Sequence, residues 1–279
     1  MGIVIGIDVG GSTTKIVGFE TVGSERRLIT PQFVKADHPT TAVYGAFGKF
    51  TDDNDIKISD IDKVLITGVG ASFVKGDMYG IPCLRVPEFT CIGKGGRYLS
   101  GLDDVLVVSM GTGTALVYAK ADGEINYLGG TGVGGGTLLG LSKLLVGAEN
   151  IDHIVELAEG GSLDEIDLRI KDMVQEGSDA VLNMDITAAN FAKVSDMASR
   201  SDLALGVFNL VYETVGMVSV FAARSCGAHD IVLTGNITTL ASCAEKYEEF
   251  NNLGYGVHFV IPELSEFSTA IGCALSAFD

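Results

Sequence analysis

Basic residues are scarce in this chain of 279 residues, in which 19 lysines and arginines stand against 36 aspartates and glutamates, a net charge of −17. Binding to nucleic acid needs a basic surface that neutralises phosphates, so the composition argues against a DNA- or RNA-binding protein. An acidic protein that binds an anionic nucleotide must build a locally positive pocket instead. Backbone N–H groups, a lysine and a divalent metal ion are the usual means.

Paired cysteine motifs are also missing. The five cysteines are scattered and form no Cys-x-x-Cys pattern; they are Cys83, Cys91, Cys226, Cys243 and Cys273. Scattered cysteines of this kind are expected to be reduced and buried. The sequence runs directly into an apolar strand pattern, so we expect no targeting segment and a cytoplasmic location.

Long uninterrupted apolar runs are absent as well. The longest one, 203–223, is broken by Asn209 and Glu213, which favours a buried core helix over a membrane span. A Walker loop is missing too, because the glycine block at 129–136 continues as Thr137-Leu138 and not as Gly-Lys-Ser/Thr. We therefore expect no membrane partner and no P-loop.

The sequence does contain a repeated hairpin pattern. An apolar strand, a turn of glycine, serine and threonine, and a second apolar strand occur first at 3–15 and again at 105–117. With a shift of 101 residues, Asp8 aligns with Ser109. Glycine lets a turn approach a ligand closely, and hydroxyl groups add donors beside the free N–H groups. Two such turns facing each other predict a site that holds a polyphosphate from both sides.

Strand and helix patterns alternate along the chain, which predicts an α/β architecture. The two halves, each led by a hairpin, predict two related domains with a nucleotide cleft between them. We place the boundary near residue 101. The predicted N-terminal subdomain is 1–100, joined by a C-terminal helix at 267–279, and the predicted C-terminal subdomain is 101–266, with a helical insertion near 149–200.

Several elements are predicted from periodicity and turn signals. Leucines at 138, 139, 141, 144 and 145 predict a buried helix over 137–146, and 149–176 is helical by pattern. Asp185 or Thr187 is a candidate N-cap for a following helix. Further helices are predicted at 40–50, 89–100, 203–226, 238–250 and 267–278, and further strands at 62–67, 81–86, 230–234 and 257–260.

The first turn has the residues that a nucleotide needs. The N–H groups of the segment 11–14 are expected to hold the β- and γ-phosphates, Lys15 adds a positive charge, and Asp8 would bind Mg²⁺ through water. The glycine block before the 137–146 helix is either a flexible linker or a second phosphate site, built from free N–H groups and the helix dipole. The Thr234-Gly235-Asn236 segment is either an ordinary turn or the surface against which adenosine packs.

Phosphoryl transfer to an alcohol also needs a base for the hydroxyl proton. Ser109 cannot serve, although it aligns with Asp8. Glu88 is the nearest upstream candidate, placed after the 81–86 strand where a helix should begin. The alternative role for Glu88 is that of a simple partner for the helix dipole.

Together these segments resemble the sugar kinase/actin/Hsp70-like ATPase superfamily, which has a ribonuclease H-like fold, and more narrowly the type II pantothenate kinases. The resemblance covers nearly the whole chain. The segments that carry it are Gly6-Ile-Asp-Val-Gly-Gly-Ser, Val86-Pro-Glu-Phe, Gly111-Thr-Gly-Thr, the block from Gly129 to Leu141, Asp185-Ile-Thr-Ala-Ala-Asn-Phe and Phe267-Ser-Thr-Ala-Ile-Gly.

The resemblance implies ATP-dependent phosphorylation of pantothenate by a homodimer, in the first step of coenzyme A synthesis. It places the catalytic glutamate on Glu88. The predicted nucleotide-binding residues are Asp8, Gly10, Gly11, Ser12, Thr13, Thr14, Lys15, Gly111, Thr112, Gly132, Gly134, Gly135, Gly136, Thr137 and Gly235. The predicted acceptor-substrate residues are Glu88, Thr112, Ala115 and Tyr127.

Two positions depart from that family. Ala115 stands where such kinases usually carry serine, and Tyr127 stands where they usually carry the arginine that binds the pantothenate carboxylate. Losing a cation and a hydroxyl together removes contacts worth several kcal/mol in order of magnitude. An altered acceptor or a loss of catalysis therefore stays open.

A second function class also stays open. The Glu88-Phe-Thr-Cys-Ile-Gly-Lys-Gly stretch resembles the Glu-x-Ser-Cys-x-x-Lys-Gly stretch of activators of 2-hydroxyacyl-CoA dehydratases. Those proteins are ATPases that switch a partner protein, and they hold an iron–sulfur cluster between two subunits through paired cysteines. This chain would then act on a protein partner and not on a small alcohol.

Overall fold

Two five-stranded sheets form the framework of the protein. The computed structural model describes residues 2–11, 13–23, 25–35, 38–174 and 183–278. The strands are β1 (Ile3–Val9), β2 (Thr14–Val22), β3 (Glu25–Val34), β4 (Ile61–Thr67), β5 (Cys83–Arg85), β6 (Val105–Met110), β7 (Thr114–Ala119), β8 (Ile125–Thr131), β9 (Leu168–Arg169), β10 (Thr187–Ala189), β11 (Asp230–Thr234) and β12 (His258–Val260). The helices are α1 (Pro39–Asp53), α2 (Glu88–Ser100), α3 (Gly135–Val146), α4 (Ile151–Glu159), α5 (Ile170–Met173), α6 (Arg200–Cys226), α7 (Ala241–Asn252) and α8 (Ser268–Leu275).

The two sheets have the same topology. The first has the order β3-β2-β1-β4-β5, and the second reads β8-β7-β6-β11-β12 in the same direction. In each sheet the first three strands are antiparallel neighbours, and the fourth strand of the sheet, β4 or β11, joins the first one in parallel. The α/β fold class is confirmed, and the repeated hairpin is the start of a repeated sheet. The exact domain limits stay a prediction.

Each sheet is covered by helices whose apolar residues recur at helical spacing. On the first sheet, α1 packs with Val43, Phe47 and Phe50, which lie on one face of the helix. On the second sheet, α6 is the central core helix. In length and composition α6 could cross a membrane, but most of it is buried against the rest of the protein. The expectation of a core helix is confirmed.

The helices α2 and α8 join the two sheets. From α8, Ala270 and Ile271 pack against Phe19 of the first sheet, whereas Ile92 of α2 packs against Val107 of the second. Where the two helices cross, their backbones touch. A Cβ atom on Gly272 would lie 1.9 Å from the carbonyl oxygen of Cys91, so the contact requires glycine.

Several sequence predictions in the second half are wrong in part. In the described parts of the 149–200 segment, 149–174 and 183–199, the α-helices are α4 and the short α5. Thr187 lies in β10, paired with β9, instead of capping a helix. The cap of α6 is Ser199, whose hydroxyl accepts a hydrogen bond from the N–H of Asp202. Polar side chains of the 149–200 segment bond to α6, as when the buried Asp167 carboxylate accepts a hydrogen bond of 2.7 Å from the amide of Asn209.

The helix α3 is also less buried than its leucines predict. Leu138, Ser142 and Val146 face the core at a spacing of four residues, whereas Leu144 and Leu145 are exposed. Only one side of α3 meets the rest of the chain. The apolar side chains on its other side therefore contribute surface and not core.

Replacing Gly272 with alanine should destabilise the protein, because the added methyl group would overlap the backbone of α2. We expect the free energy of unfolding to fall by about 1–3 kcal/mol, the usual cost of overpacking. Gly45→Ala is the control, since a Cβ atom there, in the exposed part of α1, meets nothing within 4 Å. That variant should gain up to about 1 kcal/mol from helix propensity. Equal urea midpoints for the two variants would contradict the close helix crossing.

Candidate functional site

A cleft of about 650 Å³ lies between the two sheets, where the hairpin turns end. It contains most of the residues that the sequence singled out. The predicted site residues that line it are Asp8, Gly10, Gly11, Thr13, Lys15, Glu88, Gly111, Thr112, Ala115, Tyr127, Gly132 and Gly235. Thr14 is buried in β2 beside the cleft, and Ser12 lies outside the described residues.

The two glycine turns face each other across this cleft. The first turn is closed by the N–H of Gly10, which donates to the carbonyl oxygen of Thr13 at 3.0 Å. A Cβ atom on Gly11 would lie 3.4 Å from the hydroxyl oxygen of Thr112 in the second turn. The amide of Asn236 donates to the Thr13 hydroxyl at 3.3 Å and so connects a third turn to the first. The predicted facing of the turns is confirmed.

Asp8 and Lys15 form the charged part of the first hairpin. They are direct cross-strand partners in β1 and β2, and Lys15 is buried. Burial raises the pKa of Asp8 to about 6 although Lys15 opposes the shift, and the nearby Glu88 carboxylate raises this pKa further. Burial lowers the pKa of Lys15, while Asp8 and Glu266 act in the opposite direction. The pair therefore places one positive and one negative charge beside the first turn.

Glu88 lines the same cleft as this pair and lies close enough to Asp8 to act on its pKa. It is the first residue of α2, immediately after Pro87, so its position is fixed where β5 leads into the helix. Burial raises the pKa of the Glu88 carboxyl above its usual range. A carboxylate with a raised pKa is a better proton acceptor at neutral pH than an exposed one.

The glycine block has a structural use that the sequence analysis missed. The N–H groups of Gly135 and Gly136 donate to the carbonyl oxygens of Gly111 and Thr112, both at 2.8 Å. The expectation of free amides is therefore wrong at these two positions, because the start of α3 docks on the second hairpin. A Cβ atom on Gly136 would lie 2.9 Å from the Thr112 side chain, so this docking needs glycine. Gly134 and Thr137 bond to each other beside it.

The turn at Gly235, which the sequence singled out, has an equivalent at Gly68 whose relation to it was not predicted. Gly68 follows β4 with φ +88°, and Gly235 follows β11 with φ +103°. A Cβ atom on Gly68 would lie 2.6 Å from the Val9 carbonyl oxygen and 2.7 Å from a carboxylate oxygen of Asp8. The Thr-Gly dipeptide after each of these parallel strands is the signal that would have shown their equivalence. Thr269 of α8 lines the cleft as well, without any such signal.

The side of the cleft near Glu88 is neutral and partly aromatic. The ring of Tyr127 stacks on that of Phe89, with centroids 3.8 Å apart and an angle of 7° between the planes. Ala115 pairs with Ser109 on one neighbouring strand and with Gly130 on the other. The small residues Ser109, Ala115 and Gly130 therefore line the floor of this part of the cleft, and the ring of Tyr127, backed by that of Phe89, forms a wall beside it.

Two features concern metals. Within the described part of the chain, no three histidine, cysteine, aspartate or glutamate side chains are grouped so as to hold a metal ion. Cys91, which lies in the stretch that resembles the dehydratase activators, is fully buried, and so is Cys273. A cluster held between two subunits needs ligands at the surface, so these cysteines do not suit one.

Comparisons with known proteins agree on one family. A family model described as Fumble matches residues 103–264, more than half of the chain. A type II pantothenate kinase of Bacillus cereus (strain G9842) is 30% identical over 268 residues, covering 89% of this chain and 90% of the relative. A type II pantothenate kinase of Oceanobacillus iheyensis is 28% identical over 250 residues and covers 84% of each chain.

Solved structures show the same fold at low identity. The activator of the 2-hydroxyisocaproyl-CoA dehydratase from Clostridium difficile, with bound ADPNP, has a TM-score of 0.72 at 16% identity, covering 99% of this chain and 94% of that one. A ROK family glucokinase from Streptomyces griseus, in complex with glucose and AMPPNP, has a TM-score of 0.59 at 15% identity and covers 98% of each chain. The fold is that of the actin-like ATPases and sugar kinases.

Lys15→Met should weaken the binding of a non-hydrolysable ATP analogue by about tenfold or more, because a charge-assisted phosphate contact is lost while the apolar stem is kept. Calorimetric titration measures the change in Kd. Lys49→Met is the matched control, since Lys49 lies on α1 in an exposed ion pair with Asp53. Equal Kd values of the ATP analogue for the wild type and Lys15→Met would show that Lys15 does not contact the nucleotide.

Proposed function

The chain belongs to the type II pantothenate kinase family, and from this membership we propose that it transfers the γ-phosphate of ATP to the primary hydroxyl of pantothenate. The observation that carries the proposal is the arrangement of one cleft. Asp8, Lys15, the first glycine turn and Glu88 all line it, and Glu88 lies close enough to Asp8 to raise the pKa of that carboxyl. A phosphate site and a partly buried base then meet in the space where transfer would occur.

In the proposed reaction, Glu88 accepts the proton of the acceptor hydroxyl as its oxygen attacks the γ-phosphorus. A new O–P bond forms, and the bond between the γ-phosphorus and the β–γ bridging oxygen breaks, so its electron pair leaves with ADP. Lys15 and the N–H groups of the first turn stabilise the charge on the phosphate oxygens. Glu88 finally releases the proton to solvent.

Asp8 is the residue that we propose for Mg²⁺. A single carboxylate beside a phosphate site fits this ion, which keeps several waters and is usually held by one or two carboxylates together with substrate phosphates. When bound, Mg²⁺ would neutralise part of the triphosphate charge. The high pKa of Asp8 suits such a role, because a carboxylate buried next to one lysine gains from a second cation.

For the adenosine we propose the surface beside Gly235 and Asn236, which lines the cleft next to Gly132. Gly235 takes a backbone conformation that only glycine adopts readily, and a Cβ atom there would lie 2.4 Å from the carbonyl oxygen of Met110. This close approach holds the turn at the end of β6. Because Gly235 has no side chain, the flat adenine base could lie directly on the backbone of this turn.

We also propose that the protein works as a homodimer in the cytoplasm. All five cysteines are free thiols, which suits a reducing compartment. Leu139, Leu144 and Leu145 of α3 are exposed, so this helix offers apolar surface that a second copy would cover.

Glu88→Gln should lower kcat by about 10²-fold or more, because the amide keeps the shape of the side chain but accepts no proton. The Kd of ATP should stay within about twofold, since Glu88 faces the acceptor and not the phosphates. Steady-state release of ADP with pantothenate measures the first quantity, and calorimetry the second. Glu159→Gln, at the exposed end of α4, is the control. Full activity of Glu88→Gln would rule out Glu88 as the base.

The kcat/KM of the wild-type enzyme should fall as the pH is lowered. Both Glu88 and Asp8 must be ionised to act, and burial raises both pKa values, that of Asp8 to about 6. The acidic limb should therefore lie above the ordinary carboxyl range of about 4, as an apparent value that belongs to the interacting pair. A limb at the ordinary value would contradict the buried environment of the two groups.

A further inference from the structure

We infer that the acceptor half of the cleft is built for an uncharged amide of pantothenate, such as pantetheine, in preference to pantothenate itself with its free carboxylate. This inference rests on the proposed function. The same hydroxyl is phosphorylated in both acceptors, so the difference concerns only how the far end of the acceptor is recognised.

Positive charge in the described part of the cleft is confined to the phosphate side. Among the described residues that line the cleft, Lys15 is the only lysine or arginine. It is buried and paired with Asp8 beside the phosphate turn. Among the described residues that line the acceptor half, Glu88 carries the charge, and it is negative when it acts as the base. An acceptor carboxylate would therefore lose part of its hydration without gaining a cation, which is costly inside a protein.

The wall beside Glu88 is aromatic and uncharged. Phe89 follows Glu88 directly in the chain, and its ring forms with that of Tyr127 a parallel stack that is still partly exposed. Stacked rings offer an apolar face to an alkyl or amide chain. The Tyr127 hydroxyl lies close to Gly130, since a Cβ atom there would be 3.3 Å from it. This hydroxyl is a neutral group that can donate to or accept from an amide.

Small residues leave space for an acceptor in this half of the cleft. Ala115 and Gly130 are paired across β7 and β8, and because both are small, little side-chain volume fills the floor of the cleft beside the rings. The nucleotide and the acceptor would share the cleft volume of about 650 Å³. The residues that line this floor are small, so a longer acceptor would extend along it beside Tyr127. A carboxylate placed there would meet no charged partner from the described chain.

The direct test compares pantothenate and pantetheine as acceptors for the wild-type enzyme under the same conditions, by release of ADP and by mass of the phosphorylated product. We expect kcat/KM to be at least about tenfold higher for pantetheine, the ratio that corresponds to 1.4 kcal/mol. Equal values, or a preference for pantothenate, would overturn this inference and leave the proposed function standing. Phosphorylation of neither acceptor would overturn both.

A variant pair tests the cause. Tyr127→Arg supplies a cation in the acceptor half and should shift the ratio of kcat/KM values toward pantothenate by about tenfold. Asn126→Arg adds the same charge one residue earlier in β8, in regular register with Tyr118, where the side chain points to the opposite face of the sheet, and should leave the ratio unchanged. A similar shift in both variants would show that overall charge, and not the acceptor wall, sets the preference, which would overturn this inference.

Discussion

The site depends on one steric constraint, which occurs twice. Where β4 ends beside β1, and where β11 ends beside β6, the backbone passes so close to the neighbouring strand that no Cβ atom fits. Gly68 and Gly235 occupy these two points, against the carbonyl oxygens of Val9 and Met110. Both have the positive φ that glycine adopts without strain. Because each glycine turn packs against the end of a first hairpin strand, the two hairpins present their own turns to the same cleft.

The repeated architecture does not carry repeated chemistry. Asp8 corresponds to Ser109, and Lys15 corresponds to Leu116 under the same shift of 101 residues. The first half therefore holds the charged pair, whereas the second half supplies neutral groups and the docking surface for α3. The protein carries a net charge of −17, so most of its surface repels an anionic nucleotide. A lysine and backbone N–H groups concentrated at the first hairpin can still attract the nucleotide to that part of the cleft.

The hairpins, α2, α6 and the facing turns could be predicted because apolar periodicity and glycine turns are local signals. The edge strands β3 and β8 were missed, since half-exposed strands with mixed polarity lack a clean alternation. The glycines at 134–136 were predicted to lie at a phosphate-binding helix terminus. Two of their amides are used by the second hairpin, because only the folded chain shows which carbonyl oxygens lie within reach. Thr187 was misassigned for the same reason: its partners are distant in sequence.

The packing of α8 against β2 has a consequence for folding during synthesis on the ribosome. The apolar side chains of Val17 and Phe19 in β2 are covered by Ala270 and Ile271 of α8, which follow far later in the chain. This face of the first sheet is therefore exposed until α8 has been synthesised. Apolar surface exposed during synthesis promotes aggregation, so β2 is a segment of the nascent chain that a chaperone would protect.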